Sequence, residues 1–203
     1  MMAKASDGPP GMAAPLDALI ADAATRKGPP PVHLWDPPFC GDIDMRIARD
    51  GIWHYAGSPI SRPALVRLFA SVLRREQDRF VLVTPVEKLG ITVEDAPFLA
   101  VELQGETSTG LRLRTNLDEW VELGTDHPLR FEPGPAEALK PYARVRDELW
   151  ALVTRPVFYE LIAKGEVRDI GGRALFGVAS GPSFFPMMEV DALDEFGTDL
   201  ALG

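Results

Sequence analysis

The stretch "CGDIDMRIARDGIWHYAGSPI", residues 40–60, predicts a β-hairpin and decides how the first half of the chain is built. Charged and apolar residues alternate over residues 42–47, which is typical of a strand with one buried face, and Trp53 and Tyr55 belong to a second strand. A two-residue loop would put these aromatics on the charged face, whereas a three-residue loop at 49–51 puts them on the apolar face. We predict the three-residue loop, because it builds a single apolar face and leaves the carboxylates in water.

The rest of the chain alternates predicted strands with two predicted helical regions. After "GSPI" a helix begins at Ser61, and its apolar arc consists of Leu65, Leu68, Phe69, Val72 and Leu73. Strands are predicted in "RFVLVTPVEK", "GITVEDAPFLAVELQG" and "LRLRTNLDEWVELG", and a second amphipathic helix over residues 139–165, which Pro156 kinks or restarts. The final strands lie in "RALFGVASGPSFFPMM", followed by an acidic end with weak order.

A strand–turn–Trp–strand–Gly–Pro–helix order occurs twice, around Trp53 and around Trp120, which suggests an internal duplication. We predict three segments: a disordered tail with a short helix at 1–28, an N-terminal α+β half at 29–95 and a C-terminal α+β half at 96–203.

Composition excludes several function classes. The 203 residues carry 25% charged and 46% hydrophobic side chains, so the chain is globular. Its net charge of −9 would repel a nucleic-acid backbone, so nucleic acid is not an expected partner. A single cysteine, Cys40, forms no internal disulfide, and the sequence contains neither a secretory signal nor a membrane-spanning apolar run. We expect a soluble, cytoplasmic protein with no membrane partner.

The combination "WDPPFCGDIDMRIARDGIWHYAGSPISR", "LVTPVEKLGITVEDAPF" and "TNLDEW" resembles the bacterial family catalogued as domain of unknown function 1285. The resemblance covers the chain from about residue 30 to the final strands. It implies an α+β fold with a duplicated core of two related antiparallel-sheet-plus-helix halves, the C-terminal half loosely pleckstrin-homology-like. It also implies a ligand site at the junction of the halves, for a nucleotide-like molecule in signalling, and it supplies no catalytic residues.

Metal and cofactor chemistry have weak signals in the sequence. Asp42 and Asp44 point to one side of a strand and would suit a shared magnesium ion, but alternating acids also mark the wet face of a hairpin. Cys40 and the three histidines lack the short recurring spacings of a structural zinc site. The chain has no Walker loop, no Gly-x-Gly-x-x-Gly and no nucleophile elbow. We therefore predict no metal, no cofactor and no catalytic residue.

Two arginines have unusual predicted positions. Arg146 falls within the apolar stripe of the second helical region, where a guanidinium needs a carboxylate or a bound anion. Arg62 lies in the first turn of its helix, where a cation opposes the helix dipole and a docked anion would remove the penalty. Either arginine could instead pair with a nearby acid. The remaining candidate ligand-binding residues lie at strand ends: Tyr55, Thr84, Glu87, Lys88 and Asn116.

The leading hypothesis from the sequence is a non-enzymatic ligand-binding or sensor protein that holds a small anionic, nucleotide-like ligand between its halves. One alternative is a metal-dependent phosphoryl or nucleotidyl transferase using Asp42 and Asp44. Another is a protein-interaction module acting through a sheet edge or the N-terminal helix, including as a homodimer.

Overall fold

The computed structural model describes residues 30–134 and 139–192 of the chain. The predicted tail and helix of 1–28 and the acidic end lie outside the described residues. Within them the chain divides into two compact units, one made of residues 30–48 and 52–94, the other of 49–51, 95–134 and 139–192.

The first unit is a six-stranded sheet with one helix. A 3-10 turn at Val32–Leu34 leads into the strands, which run in the order β3-β2-β1-β6-β5-β4. Their bounds are β1 (Phe39–Ile47), β2 (Trp53–Tyr55), β3 (Ser58–Pro59), β4 (Leu73–Glu76), β5 (Arg79–Val83) and β6 (Lys88–Val93). Helix α1 (Pro63–Ser71) lies between β3 and β4 in the chain.

The register predicted for the opening hairpin is confirmed. Met45 pairs with Tyr55 and Ile47 with Trp53, so the apolar residues share a face. The loop has three residues and ends on Gly51 at φ +79°, the left-handed conformation that favours glycine. Trp53 is buried and stacks on Phe69 of α1, with 6.2 Å between ring centroids, which anchors the helix to the sheet.

The second unit contains another six-stranded sheet, of order β10-β11-β12-β7-β8-β9. Its strands are β7 (Phe98–Glu106), β8 (Gly110–Thr115), β9 (Trp120–Glu122), β10 (Leu129–Pro133), β11 (Leu139–Arg146) and β12 (Leu149–Val153). Helix α2 (Arg155–Ala163) follows β12, and Val157 and Leu161 are its buried residues. The core of this unit includes Phe98, Leu111, Leu113 and Leu149, all fully buried.

The two six-stranded sheets have the same topology. In each, the first and sixth strands of the unit are parallel neighbours at the centre, and the other neighbours are antiparallel. This supports the predicted duplication and corrects two details. First, the sheets are mixed rather than antiparallel. Second, the strand order makes β8 the equivalent of β2, whereas the sequence pattern around Trp53 and Trp120 had matched β2 with β9. Tryptophan, glycine and proline near a turn are general turn signals and did not mark equivalent strands.

The helix predicted over 139–165 is wrong in its first part. Residues 139–153 form the hairpin β11–β12, which turns at Asp147 with φ +42°, and α2 begins only at Arg155 with a proline in its first turn. Leu149, Ala151 and Val153 are buried while the residues between them are half-buried, which is the period of a strand. Pro156 therefore starts a helix rather than kinking one.

A third sheet, also in the second unit, has the order β13-β14-β15. Its strands are β13 (Glu166–Ile170), β14 (Arg173–Ser180) and β15 (Ser183–Glu189), and a 3-10 turn at Val190–Ala192 follows. Gly177 of β14 permits a close approach, because a Cβ there would lie 2.4 Å from the Phe185 carbonyl oxygen. The buried end of this sheet contains Val178, Ala179, Ser180, Phe185 and Met187.

Candidate functional site

The strands β10, β11 and β12 present one polar face, which we call the cation–aromatic face. Arg130 pairs with Tyr142, and Arg144 pairs with Trp150 on the next strand. Opposite residues in antiparallel strands lie on the same side of a sheet, so these four side chains share a face. Lys140 and Glu132 extend the face by one further pair. The opposite side of these strands carries Leu129, Ala143, Val145, Leu149, Ala151 and Val153, all buried in the core.

Arg130 is the centre of this face. Its guanidinium lies 4.1 Å from the centroid of the Trp150 ring and 5.1 Å from that of Tyr142. Stacking on two aromatic rings fixes the orientation of a planar guanidinium. The Nε atom is 3.1 Å from Glu132 Oε1 but has no hydrogen-bonded partner among the described residues. Trp150 Nε1 is also buried without a partner there, so two donors on this face have no protein acceptor in the described part of the chain.

A network around Asp95 borders the face. The Asp95 carboxylate accepts hydrogen bonds from Lys140 Nζ at 2.5 Å and from Tyr142 Oη at 2.6 Å. Burial would raise the pKa of Asp95, but these hydrogen bonds outweigh it and hold the pKa below its ordinary value. The same hydrogen bond raises the pKa of Lys140, while burial and the neighbouring carboxylate raise that of Tyr142. The charge of Lys140 is therefore paired with Asp95, as that of Arg130 is with Glu132 at 3.1 Å, and Arg130 is the cation of this face that contacts both aromatic rings.

The face offers donors and aromatic surface rather than reacting groups. Arginine and tryptophan N–H groups donate only, so they suit an acceptor-bearing anion. The guanidinium of Arg144 makes a hydrogen bond within the protein, because its Nε donates to the Asp126 carbonyl at 2.9 Å. No serine, cysteine or histidine is among the side chains that form the face.

Three residues predicted as ligand contacts lie together at the β5–β6 turn of the first unit. Thr84 Oγ1 accepts from the Glu87 backbone N–H at 3.1 Å and donates to the Glu87 carbonyl, which closes the turn. Lys88 Nζ is 3.0 Å from Asp36 and 3.3 Å from Glu76, and the hydrogen bond to Asp36 is the main reason that its pKa is raised. Arg74 also pairs with Glu76. The charge of Lys88 is thus balanced by two carboxylates of the protein, Asp36 and Glu76.

Glu87 is different, since burial raises the pKa of its carboxyl and Oε1 is buried without a hydrogen-bonded partner among the described residues.

Two other predicted residues of the first unit lie elsewhere. Arg62 is the exposed N-cap of α1 and makes no side-chain cap hydrogen bond, and Tyr55 is a half-buried residue of β2 opposite Met45.

Asn116 lies in the β8–β9 turn of the second unit, and Arg146 contacts the same turn through Glu119. Asn116 Oδ1 accepts from the Leu99 backbone N–H at 3.0 Å, so this amide holds the turn to β7. Arg146 lies on β11 rather than in a helical stripe, and its Nη1 donates to Glu119 Oε2 at 2.6 Å. The carboxylate partner that a partly buried guanidinium requires is therefore present.

The residues considered for metal binding do not assemble. Asp42 and Asp44 are exposed, and Asp42 is 3.8 Å from Arg79. Cys40 is exposed and unpaired with another cysteine. Within residues 30–134 and 139–192, no group of three or more His, Cys, Asp or Glu side chains is arranged to hold an ion. In the same ranges, no helix is long and apolar enough to cross a bilayer.

Sequence reasoning missed the cation–aromatic face. Its residues belong to "LRFEP", "LKPYARVR" and "LWALV", and the second and third of these segments were assigned to a helix. The available signal was the alternation of Tyr142 and Arg144 with Ala143 and Val145, which is a strand period. Even with that period, the meeting of Arg130 and Trp150 depends on the register of three strands.

Solved structures of two DUF1285 family proteins are similar to this chain. A crystal structure of a DUF1285 family protein from Silicibacter pomeroyi DSS-3 is 50% identical, covers 87% of this chain and 97% of its own, and superposes with a TM-score of 0.78. A DUF1285 family protein from Shewanella baltica OS155 is 26% identical over 60% of this chain and 91% of its own, with a TM-score of 0.49. No curated protein matches the chain.

Two family descriptions match adjacent segments of the chain. Residues 30–96 match "Domain of unknown function (DUF1285), N-terminal domain", and residues 97–187 match "Protein of unknown function (DUF1285), C-terminal domain". These two segments together span most of the 203 residues. With half of its residues also identical to those of a solved member over the matched length, this chain belongs to the DUF1285 family.

Proposed function

We propose that this protein is a non-enzymatic ligand-binding or sensor protein in signal transduction, and that it holds a small anionic, nucleotide-like ligand against the cation–aromatic face. The observation that supports this most is Arg130, a partly exposed guanidinium that lies over the rings of both Tyr142 and Trp150 and whose charge is paired with Glu132 in the protein. Such a group is oriented before a ligand arrives, which lowers the entropic cost of binding.

The chemistry of the face favours a phosphate or carboxylate over a neutral molecule. A planar guanidinium donates two parallel hydrogen bonds to such an anion, and the bonds are about twice as strong as neutral ones. The protein carries a net charge of −9, so an anion requires a local cation to approach. The half-buried ring of Trp150 adds a surface on which a planar base can stack.

Two other expectations have less support. A metal-dependent transferase would need Asp42 and Asp44 to hold a cation in a concave site, but both are exposed and Asp42 already faces Arg79. The loose likeness of the C-terminal half to a pleckstrin-homology fold stays a proposal, supported by the order of a sheet, β7 to β12, followed by helix α2.

Calorimetry and thermal-shift measurements with inorganic phosphate and a panel of nucleotides test the proposal. A ligand at a hundredfold excess over its Kd stabilises the protein by about 2.7 kcal/mol. Replacing Arg130 with methionine (Arg130→Met) should weaken binding by roughly tenfold to a hundredfold, because charge-assisted hydrogen bonds contribute about 1.5–3 kcal/mol.

Arg112→Met is the matched control. Arg112 lies 4.7 Å over the Trp120 ring in the same sheet, but its Nη2 already donates to Gln104 at 2.7 Å. Binding should be unchanged in this variant. The proposal fails if no anion in the panel binds, or if the two substitutions weaken binding equally.

A further inference from the structure

Strand β13 is a free sheet edge that the proposed ligand site does not use. It pairs with β14 on one side only, and it is the terminal strand of the third sheet in the described part of the chain. Four of its five residues are exposed, with Val167 at 55% and Ile170 at 43%, and Arg168 is half-buried. Unpaired backbone groups along such an edge are a template for another strand.

The rest of the third sheet packs against other parts of the second unit. The far end of β14 is tied to the second sheet through Ser180, which bonds to Leu111 and Leu123, and Phe185 and Met187 of β15 are buried. At the other end of the sheet, β13 has no further strand beside it in the described part of the chain. On one face of that end, Val167, Phe176 and Met188 stand opposite one another in a row, and Phe176 and Met188 are half-buried.

The charges of β13 are complementary to those of a second, antiparallel copy of itself. Glu166 and Arg168 flank Val167, point to the same side of the strand and pair with each other within the chain, so a dimer exchanges this pair for cross-strand ones. If Val167 lies opposite Val167 of a second copy, each Glu166 stands opposite an Arg168, which gives two cross-strand ion pairs. A register centred on Arg168 would instead oppose two guanidinium groups, so the register centred on Val167 is the more favourable of the two.

We propose that this protein forms a homodimer in which β13 pairs antiparallel with β13 of a second copy, centred on Val167. The interface is isologous, as a two-fold dimer requires. It joins two three-stranded sheets into one of six strands, and the row Val167–Phe176–Met188 continues across the two-fold axis. The contact is small, so the dimer should dissociate on dilution.

Sedimentation equilibrium of the full chain over a wide concentration range measures this association. The unaltered chain should show a monomer–dimer equilibrium. The single reversals Glu166→Arg and Arg168→Glu each place like charges opposite one another, so each should weaken dimerisation by about tenfold or more.

Charge complementation separates this register from other contacts. An equimolar mixture of the two single-reversal variants should dimerise again, and so should the double variant Glu166→Arg/Arg168→Glu, because opposite charges are again paired. Arg173→Glu on the neighbouring strand β14 is the control and should leave the association unchanged. Circular dichroism and Tm establish that each variant is folded. A chain that is monomeric at all concentrations, or single reversals that dimerise normally, would overturn the proposal.

Discussion

At the scale of single residues, Glu87 is an acid whose surroundings disfavour its charge. It lies at the β5–β6 turn, burial raises the pKa of its carboxyl, and no described residue donates a hydrogen bond to its buried Oε1. We expect Glu87→Gln to stabilise the protein at pH 7, because glutamine removes the charge while keeping the shape of the side chain.

The pH dependence of this effect has a definite sign. A carboxyl whose pKa is raised in the folded state binds its proton more readily when folded, so stability rises as pH falls through that pKa towards 4.5. The advantage of Glu87→Gln should therefore be larger at pH 7 than at pH 4, as measured by Tm. Glu148→Gln, at the exposed turn between β11 and β12, serves as the control and should change little at either pH. A larger advantage at pH 4 would contradict the assignment.

Residue types alone could not separate ligand contacts from structural ones. Lys88, Thr84 and Asn116 were predicted as ligand contacts because they are polar and lie at strand ends, yet each has protein partners in the structure. Arg146 needed a partner on physical grounds, and Glu119 provides it. Which acid lies within reach of a given arginine depends on tertiary contacts that a single sequence does not reveal.

At the scale of secondary-structure elements, Ser180 attaches the third sheet to the second. Its Oγ accepts from the Leu111 backbone N–H at 2.8 Å and donates to the Leu123 carbonyl at 2.7 Å. Ser180→Ala would leave both backbone groups unsatisfied in a buried environment. We expect a loss of about 1–3 kcal/mol in the free energy of unfolding, measured by urea denaturation.

Ser183→Ala provides the comparison for this prediction. Ser183 stands opposite Ser180 in the β14–β15 hairpin and is only half-buried, so its loss should cost much less. Equal effects of the two substitutions would mean that the hydroxyl of Ser180 does not contribute as described.

The elements differ in how far their sequences determine them. The opening hairpin was predicted with its register, because residues 49–51 form a turn whose chemistry is local. The hairpin β11–β12 was predicted as a helix, because apolar residues in "YARVRDELWALV" fit both helical and strand spacing. In the structure a turn at Asp147, in the left-handed conformation, separates the two strands. Aspartate adopts this conformation more often than most residues but also occurs in many others, so its presence did not predict the turn.

At the scale of the whole molecule, several carboxylates support the fold only while they are ionised. Burial opposes ionisation of Asp95 and Glu76, yet bonds from Lys140 and Tyr142 to Asp95, and from Arg74 and Lys88 to Glu76, lower the pKa of each. A pKa lowered by folding contributes stability that is present above the unfolded value and is lost as pH falls through the folded value. The chain should therefore lose stability below about pH 4.

Asp95→Asn tests this linkage. The variant should be less stable than the unaltered chain at pH 7, because Lys140 loses its ion pair, and the difference should shrink as pH falls below 3.8, the ordinary value for an aspartate. Urea denaturation at a series of pH values measures the trend. Asp126→Asn, at an exposed loop position, should show no such trend. A constant difference at every pH would contradict the account.

The duplication was visible in the sequence only as a suggestion. Its real basis is strand order, since each six-stranded sheet places its first and last strands side by side. Strand order depends on contacts between distant parts of the chain, so no local pattern around Trp53 or Trp120 could establish it. The mixed character of the sheets was missed for the same reason, because the parallel pairs join strands far apart in the sequence.

The central parallel pairs also have a consequence for biosynthesis. In the first unit, β1 begins at Phe39 and its parallel neighbour β6 ends at Val93, so the middle of the sheet can close only after nearly the whole unit has left the ribosome. Until then β1 has β2 on one side and an open edge on the other. Such long-range pairing folds slowly and exposes strand edges in the meantime. The interval between synthesis of β1 and β6 is therefore when the nascent chain is most vulnerable to aggregation, and the second unit repeats that interval between β7 and β12.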